Sequence, residues 1–280
     1  MSGLHPPVGA VREVVTRALA EDLGPLGDLT AALVPPGATA VAQVVPRAPG
    51  VLAGRLAATE VFDQVDASLA VRWVADDGDR VAAGVAVAEV EGALSSVLTA
   101  ERTALNLLSH LSGVATLTRR FVEAAGGRAR IRDTRKTTPG LRALEKAAVR
   151  AGGGMNHRGS LSDGVLVKDN HLAGLSVPEA VERARQLWAG RAVQVECDTA
   201  EQVKEAVVAG ADLVLLDNMT PEQVATCVEA VGGRCMVEVS GGVTLETVAA
   251  YAAAGADLVS VGAITHSAPV LDIGLDVRGS

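Results

Sequence analysis

A cluster of basic and hydrogen-bonding residues lies in the middle of the chain, between residues 128 and 171. Ten lysine and arginine residues stand there against four acids, in a chain whose formal net charge is −8. Within it, "RDTRKTTPG" (132–140) and "GGGMNHRGSLSDGVLVKDNH" (152–171) combine cations with glycines. A local concentration of positive charge attracts anions. A solvated basic face has the same composition, so the segment indicates an anion site only if the fold brings these residues together.

The elements that must position this cluster are serial βα units. Six short apolar segments end in polar residues or glycine: ARIRDT (129–134), GVLVKDN (164–170), AVQVECD (192–198), DLVLLDN (212–218), CMVEVSGG (235–242) and DLVSVGA (257–263). Such runs are typical of parallel strands covered on both faces. Helical patterns lie between them, at 140–151, 176–189, 199–209, 220–231 and 244–254. The alternation predicts a barrel of the TIM type or an open doubly wound sheet. We favour the barrel, because no G-x-G-x-x-G motif follows a strand.

Local signals in the second half support the same assignment. Capping boxes, in which a hydroxyl residue precedes Glu or Gln by three positions, are predicted at Ser176–Glu179, Thr199–Gln202 and Thr220–Gln223. The segments 206–218 and 251–263 both contain Gly-Ala-Asp-Leu-Val at a helix-to-strand turn. Their offset corresponds to two βα units, as expected for a repeated βα fold.

The first part of the chain has a different pattern. A helix at about 9–22 precedes short strands with Pro-Gly and Gly-Asp turns in 39–54 and 68–92, and a long helix follows at about 94–125. This pattern predicts a smaller α+β domain. We therefore expect an N-terminal domain over 1–112 and a barrel domain over 113–270, with the tail 271–280 packed on the first domain.

Polar residues at the predicted strand ends form the candidate site, because catalytic groups of βα barrels lie at the carboxyl ends of the strands. They are Asp133, Thr134, Arg135 and Lys136; Lys168, Asp169, Asn170 and His171; Glu196 and Asp198; Asp217 and Asn218; Ser240, Gly241 and Gly242; and Gly262, Ala263, Thr265 and His266. Arginine can hold a carboxylate or phosphate by two hydrogen bonds, and glycine-containing turns can present backbone N–H groups to a phosphate. Glu196 and Asp217 are suited to Mg²⁺ or sugar hydroxyls. Taken alone, Glu196 also fits a buried salt bridge, and Ser-Gly-Gly an ordinary turn.

Composition excludes several classes of protein. The chain is acidic and only 2% aromatic, which argues against nucleic acid as a partner. No apolar run reaches the ~18 residues that span a membrane, and we see no export signal. Three cysteines without a C-x-x-C motif suit reduced, buried thiols in the cytoplasm.

Several segments of the sequence resemble the quinolinate phosphoribosyltransferase family. They are ERTALNLLSHLSGVAT (101–116), the whole of 132–171, VEC (195–197), LLDNM (215–219), EVSGGV (238–243) and VGAITHSAPVLDIGLD (261–276). The likeness runs from about Val11 to Asp276. It implies a type II phosphoribosyltransferase fold, an N-terminal α/β sandwich domain followed by an incomplete TIM-like α/β barrel. It also implies a homodimer with shared active sites, and a hexamer of dimers stays open.

The resemblance further implies a reaction and its residues. Quinolinate would react with 5-phosphoribosyl 1-diphosphate and Mg²⁺ to give nicotinate mononucleotide, CO₂ and diphosphate. The family's quinolinate contacts fall on Arg102 of the other subunit, Arg135, Lys136, His157, Arg158 and Lys168, with Thr134 beside them. The sugar contacts fall on Glu196 and Asp217, which are also the tentative Mg²⁺ ligands, although substrate diphosphate would hold most of the metal. The 5-phosphate contacts fall on Ser240-Gly241-Gly242 and Val261-Gly262-Ala263, with His266 nearby. Glu196, Asp217 and Lys136 are the expected catalytic residues.

Three alternatives remain at this point. ModD-like proteins linked to molybdenum transport share the RKT, GGG and HR blocks, but intact KDNH (168–171), Arg102 and the SGG turn favour the quinolinate enzyme. Nicotinate phosphoribosyltransferase acts on a monocarboxylate and would not need so many cations. A non-catalytic sensor of phosphorylated ligands would not need two carboxylates suited to an oxocarbenium ion.

Overall fold

The chain divides into two compact units. The computed structural model describes residues 4–172 and 174–278. The first unit contains the chain up to Arg119, Thr137–Gly153 and the chain from Ile264 onward, and the second contains Arg120–Lys136 and Gly154–Ala263. The expected boundary between residues 112 and 113 falls inside one continuous helix, Leu94–Ala125, so it stays a prediction.

The first unit combines antiparallel strands with helices. In chain order its elements are α1 Val8–Leu23, β1 Thr39–Pro46, β2 Gly50–Val51, α2 Arg55–Val65, β3 Ala70–Trp73, β4 Arg80–Val81, β5 Ala88–Ala93, α3 Leu94–Ala125 (which continues into the second unit), α4 Arg142–Ala151 and the last strand, β12 Ile273–Arg278. One sheet has the order β12-β1-β5-β3, and β2 pairs with β4. The C-terminal strand β12 runs antiparallel to β1, with Val44 opposite Leu275.

Helix α3 owes its length to a long apolar stripe. Val97, Ala100, Ala104, Leu108 and Leu111 recur every three or four residues and are each at most 2% exposed. This spacing places them on one face of a helix. The predicted bounds of this helix, about 94–125, are confirmed.

The second unit is built on one parallel sheet. Its strands are β6 Arg130–Arg132, β7 Val165–Val167, β8 Val193–Cys197, β9 Leu213–Asp217, β10 Met236–Ser240 and β11 Leu258–Ser260. Its helices are α5 Asp169–Leu172, α6 Val177–Leu187, α7 Ala200–Val208, α8 Pro221–Val231 and α9 Val248–Ala253. The turn-length α10 Ala263–His266 starts at the last residue of the second unit, and its other residues belong to the first. The order β6-β11-β10-β9-β8-β7 leaves β6 and β7 as edge strands. All six predicted strands are therefore confirmed, in a barrel that stays open between β6 and β7.

The capping-box predictions are confirmed at all three helices. The side chains of Ser176, Thr199 and Thr220 each accept a hydrogen bond from the backbone three residues on, and the Glu or Gln at that position accepts one from the cap residue's N–H. These reciprocal bonds satisfy N–H groups that a helix start leaves without partners. They fix where each helix begins, and so where the preceding strand-end loop must stop.

The three cysteines are free thiols, as the sequence predicted. Cys197 and Cys227 are buried, whereas Cys235 is half-buried. Burial raises the pKa of the Cys197 thiol to about 12, so this side chain behaves as a small apolar residue. Across residues 4–172 and 174–278, no helix has the length and apolar character needed to cross a membrane.

Candidate active site

A cavity of about 240 Å³ lies at the carboxyl ends of the parallel strands, within the second unit. Its lining consists of Thr134, Arg135, Lys136, His157, Arg158, Leu166, Lys168, Glu196, Leu215, Asp217, Glu238, Ser240 and Ser260. A wider open depression of about 460 Å³ in the first unit has Asp28 as its one charged lining residue. The smaller cavity combines four cations with three carboxylates at the strand ends, so it is the candidate site.

Strand geometry explains why these polar groups share one cavity. Successive side chains of a strand point to opposite faces. In β8, β9 and β10, Val195, Val214 and Val239 are at most 1% exposed and fill the core, whereas their neighbours Glu196 and Glu238 line the cavity. The strands were expected to be covered on both faces, and most of their residues are buried or half-buried. On the inner face, alternate positions carry the polar groups of the site.

The loop after β6 brings two cations to the cavity. The backbone N–H of Lys136 donates to Thr134 Oγ1 at 3.0 Å. This hydrogen bond closes a turn whose central residue is Arg135. Arg135 is half-buried and Lys136 is exposed. Arg158 joins them from the loop before β7. Burial, followed by the nearby charge of Arg135, lowers the pKa of the Arg158 guanidinium. An anion that binds between two neighbouring, partly buried cations stabilises their charged forms.

A buried aspartate organises the loop that carries His157 and Arg158. Asp133 is fully buried and accepts hydrogen bonds from the His157 N–H at 2.7 Å and from Asn156 Nδ2 at 2.6 Å. The Arg158 N–H donates to His157 Nδ1 at 2.8 Å, and Arg158 Nη1 donates to the Gly164 carbonyl at 3.2 Å. The "HR" motif is therefore held from both ends.

Lys168 and Glu196 form an ion pair across neighbouring strands β7 and β8. The Lys168 side chain is 42% exposed and that of Glu196 13% exposed. The sequence left open whether Glu196 binds a ligand or a salt-bridge partner. In the structure it has a salt-bridge partner and also lines the cavity.

Asp217 and the Ser240-Gly241-Gly242 turn meet at the next strand ends. Asp217 is opposite Ser240 in the β9–β10 register. Asn218, which has a left-handed backbone with φ 55°, donates from Nδ2 to Asp217 Oδ2 at 2.7 Å. Gly241 has φ 91°, and an added Cβ there would lie 2.7 Å from Asn218 Cγ and 2.9 Å from its backbone N. Glycine is therefore required at 241 for the two strand ends to approach each other.

The remaining predicted residues have these positions. Val261 is buried and donates its N–H to the Arg132 carbonyl at 2.9 Å, and Gly262 and Ala263 follow it half-buried. Arg102 and His266 belong to the first unit. Arg102 Nη2 lies 3.7 Å from Glu101 Oε1, and His266 Nδ1 lies 2.7 Å from Ser267 Oγ. Their substrate roles stay predictions.

Sequence reasoning missed one carboxylate that lines the cavity, Glu238. Its side chain is fully buried and contacts Arg132, Gln194, Ser260 and His157. A signal was present: Glu238 and Gln194 stand in the middle of strands whose neighbours are valines. A charged residue at such a position is buried only when it is paired.

The cavity has no all-protein cage for a metal ion. Within residues 4–172 and 174–278, no group of three or more His, Cys, Asp or Glu side chains is placed to hold a metal. Glu196 and Asp217 are two carboxylates at adjacent strand ends. This donor set fits Mg²⁺ that binds chiefly through substrate phosphates, as Mg²⁺ commonly does.

Two family models and full-length relatives show the family of this chain. The model of the quinolinate phosphoribosyl transferase N-terminal domain matches residues 28–112, and that of the C-terminal domain matches residues 114–276. The nicotinate-nucleotide pyrophosphorylase (carboxylating) of Mycobacterium leprae is 45% identical over 276 residues, covering 96% of this chain and 97% of the relative. A probable enzyme of the same name from Bacillus subtilis is 41% identical, with 95% and 93% covered. The structure of the nicotinate-nucleotide pyrophosphorylase from Francisella tularensis superposes with a TM-score of 0.94 at 37% identity, covering 99% of each chain. The expected two-domain fold is thereby confirmed, and the chain belongs to the quinolinate phosphoribosyltransferase family.

Proposed function

We propose that this chain transfers the phosphoribosyl group of 5-phosphoribosyl 1-diphosphate to quinolinate and releases CO₂, giving nicotinate mononucleotide and diphosphate for NAD biosynthesis. The observation that carries the proposal is one cavity lined by the cations Arg135, Lys136, Arg158 and Lys168 together with the carboxylates Glu196 and Asp217. The cations suit a dicarboxylate, and the carboxylates suit a sugar that becomes positively charged. The family relationship supports the same reaction.

The cationic side of the cavity would bind quinolinate. The charge of Arg135 repels that of Arg158, and Arg158 is partly desolvated, so a carboxylate between them relieves both costs. The apolar side chains of Leu166 and Leu215, which also line the cavity, suit the faces of a pyridine ring. Lys136 is exposed and also lines the cavity, where it can meet the second carboxylate.

The acidic side would act on the ribose. Departure of diphosphate leaves positive charge on the anomeric carbon, and fixed carboxylates at Glu196 and Asp217 stabilise that charge without reorganising. The pyridine nitrogen then bonds to this carbon. The bond between C2 and its carboxylate carbon then breaks as CO₂ leaves, its electron pair stays on C2 beside the ring cation, and a proton from water bonds to C2.

The Lys168–Glu196 pair gives the two sides a physical link. Without substrate these groups neutralise one another. A quinolinate carboxylate would offer Lys168 a second anion, which leaves more of the charge of Glu196 available to the ribose. Before substrates bind, the ion pair holds both side chains in place.

Mg²⁺ is part of the proposal. When bound, it would neutralise charge on the departing diphosphate, and Glu196 and Asp217 are the residues that would complete its coordination. The Ser240-Gly241-Gly242 turn would hold the 5-phosphate through backbone N–H groups, since Gly241 and Gly242 both have positive φ and such turns form anion-binding concavities.

One assay tests the function against its rivals. The protein is incubated with 5-phosphoribosyl 1-diphosphate and Mg²⁺, plus quinolinate, nicotinate or no pyridine, and CO₂ and mononucleotide are measured. We expect CO₂ and mononucleotide in equal amounts in the mixture that contains quinolinate, and neither product in the other two mixtures. Product from nicotinate without CO₂ would identify a nicotinate enzyme, and no product in any mixture would favour a ModD-like protein or a sensor.

We also propose that the protein is a cytoplasmic homodimer whose two active sites are shared between the subunits. Exposed Arg102 on α3 would reach the quinolinate site of the other subunit. In a two-fold dimer, mixing inactive Arg102→Ala and inactive Lys136→Ala subunits would create one intact site in each mixed dimer. Recovery should approach about a quarter of wild-type activity after random exchange of equal amounts. No recovery, with exchange verified by mass spectrometry, would exclude a role for Arg102 across the interface.

A further inference from the structure

Glu238 lines the cavity and joins four separate segments of the second unit. Its Oε2 accepts hydrogen bonds from Arg132 Nη1 and Gln194 Nε2, both at 2.8 Å. Its Oε1 accepts a hydrogen bond from Ser260 Oγ and lies 3.5 Å from His157 Nε2. The carboxylate is fully buried, and Arg132 is 15% exposed. A buried carboxylate with this many donors is tightly fixed in orientation.

Arg132 extends this network to the loop before β7. Its Nη2 donates to the Asn156 carbonyl at 3.3 Å while Nη1 is bound to Glu238. Asn156 directly precedes His157, so one guanidinium connects the buried carboxylate to the backbone of the loop. Removing the charge of Glu238 would leave Arg132 buried beside a neutral group, which is costly.

The loop needs this support because it crosses the open side of the barrel. β6 and β7 are the two edge strands, and the loop 153–164 leads into β7. Its link to β6 is an isolated bridge between Arg132 and Met155. Side chains must therefore replace the ladder that a closed barrel would supply at this point.

The same contacts define the protonation of His157. Because Nδ1 accepts the Arg158 N–H, it carries no proton, and the ring proton must be on Nε2, which faces Glu238 Oε1. His157 is then a neutral imidazole whose N–H is directed at Glu238. Its Nδ1 in turn orients the backbone at Arg158.

We propose that Glu238 is a positioning residue for the quinolinate-binding side of the cavity, which fixes Arg132 and the Nε2–H tautomer of His157 and thereby the loop that presents Arg158. The link to quinolinate rests on the proposed function, whereas the link to His157 does not. Two experiments separate them.

The first experiment measures the tautomer in the wild-type protein. Long-range ¹H–¹⁵N NMR at pH 7.5 distinguishes the two ring nitrogens, and the spectrum of His157→Gln assigns the signal among the five histidines. We expect an unprotonated Nδ1 and a protonated Nε2. A proton on Nδ1, or on both nitrogens, would overturn the proposal, whether or not the protein has the expected activity.

The second experiment compares the KM values of the two substrates. Glu238→Gln keeps the shape of the side chain but removes its charge, and the KM for quinolinate should rise about tenfold, as for the loss of one interaction near 1.4 kcal/mol. The KM for 5-phosphoribosyl 1-diphosphate should change little. Asp77→Asn is the matched control, because Asp77 is a buried carboxylate beside a histidine, His5, in the first unit, and both KM values should stay unchanged.

A second variant covers the case in which Glu238→Gln does not fold. Arg132→Lys keeps a cation beside Glu238 but cannot also reach the Asn156 carbonyl, so it should produce the same selective rise for quinolinate. A fall in kcat with both KM values unchanged, in whichever variant folds, would show that Glu238 only supports folding. An equal rise in both KM values would also contradict the positioning role.

Discussion

Replacing Gly241 with alanine should damage the phosphate side of the site more than replacing its neighbour. Gly241 has φ 91° and Gly242 has φ 61°, and a left-handed backbone costs an alanine roughly 1–2 kcal/mol at either position. At Gly241 the new Cβ would also lie 2.9 Å from the Asn218 backbone N and 2.7 Å from its Cγ, whereas at Gly242 nothing lies within 4 Å. Relieving such a clash costs about 1–3 kcal/mol more. We therefore expect the free energy of unfolding to fall by roughly 2–5 kcal/mol for Gly241→Ala and by about 1–2 kcal/mol for Gly242→Ala.

The same clash should reach the acidic side of the cavity. Displacing the Asn218 amide breaks its hydrogen bond to Asp217, so Gly241→Ala should weaken binding of 5-phosphoribosyl 1-diphosphate at least tenfold and leave quinolinate affinity nearly unchanged. Chemical denaturation gives the stabilities, and calorimetric titration gives the two affinities. Equal destabilisation by the two alanines would show that backbone strain alone matters and that the approach of the two strand ends does not. Equal loss of both ligands would refute the division of the cavity into two sides.

Three further predictions concern single side chains. Arg158→Ala should raise the quinolinate dissociation constant by about 10- to 150-fold, the equivalent of one charge-assisted contact worth roughly 1.5–3 kcal/mol. The exposed Arg183 provides a control that should have no effect, and equal effects in calorimetry would remove Arg158 from the site. Glu196→Gln and Asp217→Asn should lower kcat with modest change in quinolinate affinity, because they keep the side-chain shape and remove the negative charge proposed to act in the transition state. Unchanged turnover in both would end their assigned role. Asp163 has a pKa below its ordinary value of 3.8, chiefly because its carboxylate accepts a hydrogen bond from the Ser160 hydroxyl and, to a smaller extent, because it accepts hydrogen bonds from backbone N–H groups. Its contribution to stability is present above that value and is lost as the pH falls through the lower folded-state pKa, and an NMR titration of the carboxyl carbon with a midpoint at or above 3.8 would contradict this.

Much of the architecture could be predicted from local sequence. The six strands, the long helix α3 and the three capping boxes are confirmed because each depends on side-chain periodicity or on hydrogen bonds within one turn. The expectation that polar residues at the strand ends share one site also holds for four residues that line one cavity, Arg135, Lys168, Glu196 and Asp217. In contrast, Glu238 was not predicted as a site residue, because a short valine-rich run with one polar residue resembles a fully buried strand.

The sequence by itself determined which residues could do chemistry and the order in which they appear on a βα scaffold. It also determined, through its likeness to known relatives, the family. The tertiary structure alone decided how the charges are paired: Lys168 with Glu196, and Arg132 with Glu238. These partners lie 28 and 106 residues apart in the chain, and no local pattern can identify which of many cations meets a given carboxylate. The physical reason is that such pairing depends on distance and desolvation in the folded sheet, and strand order and register set both.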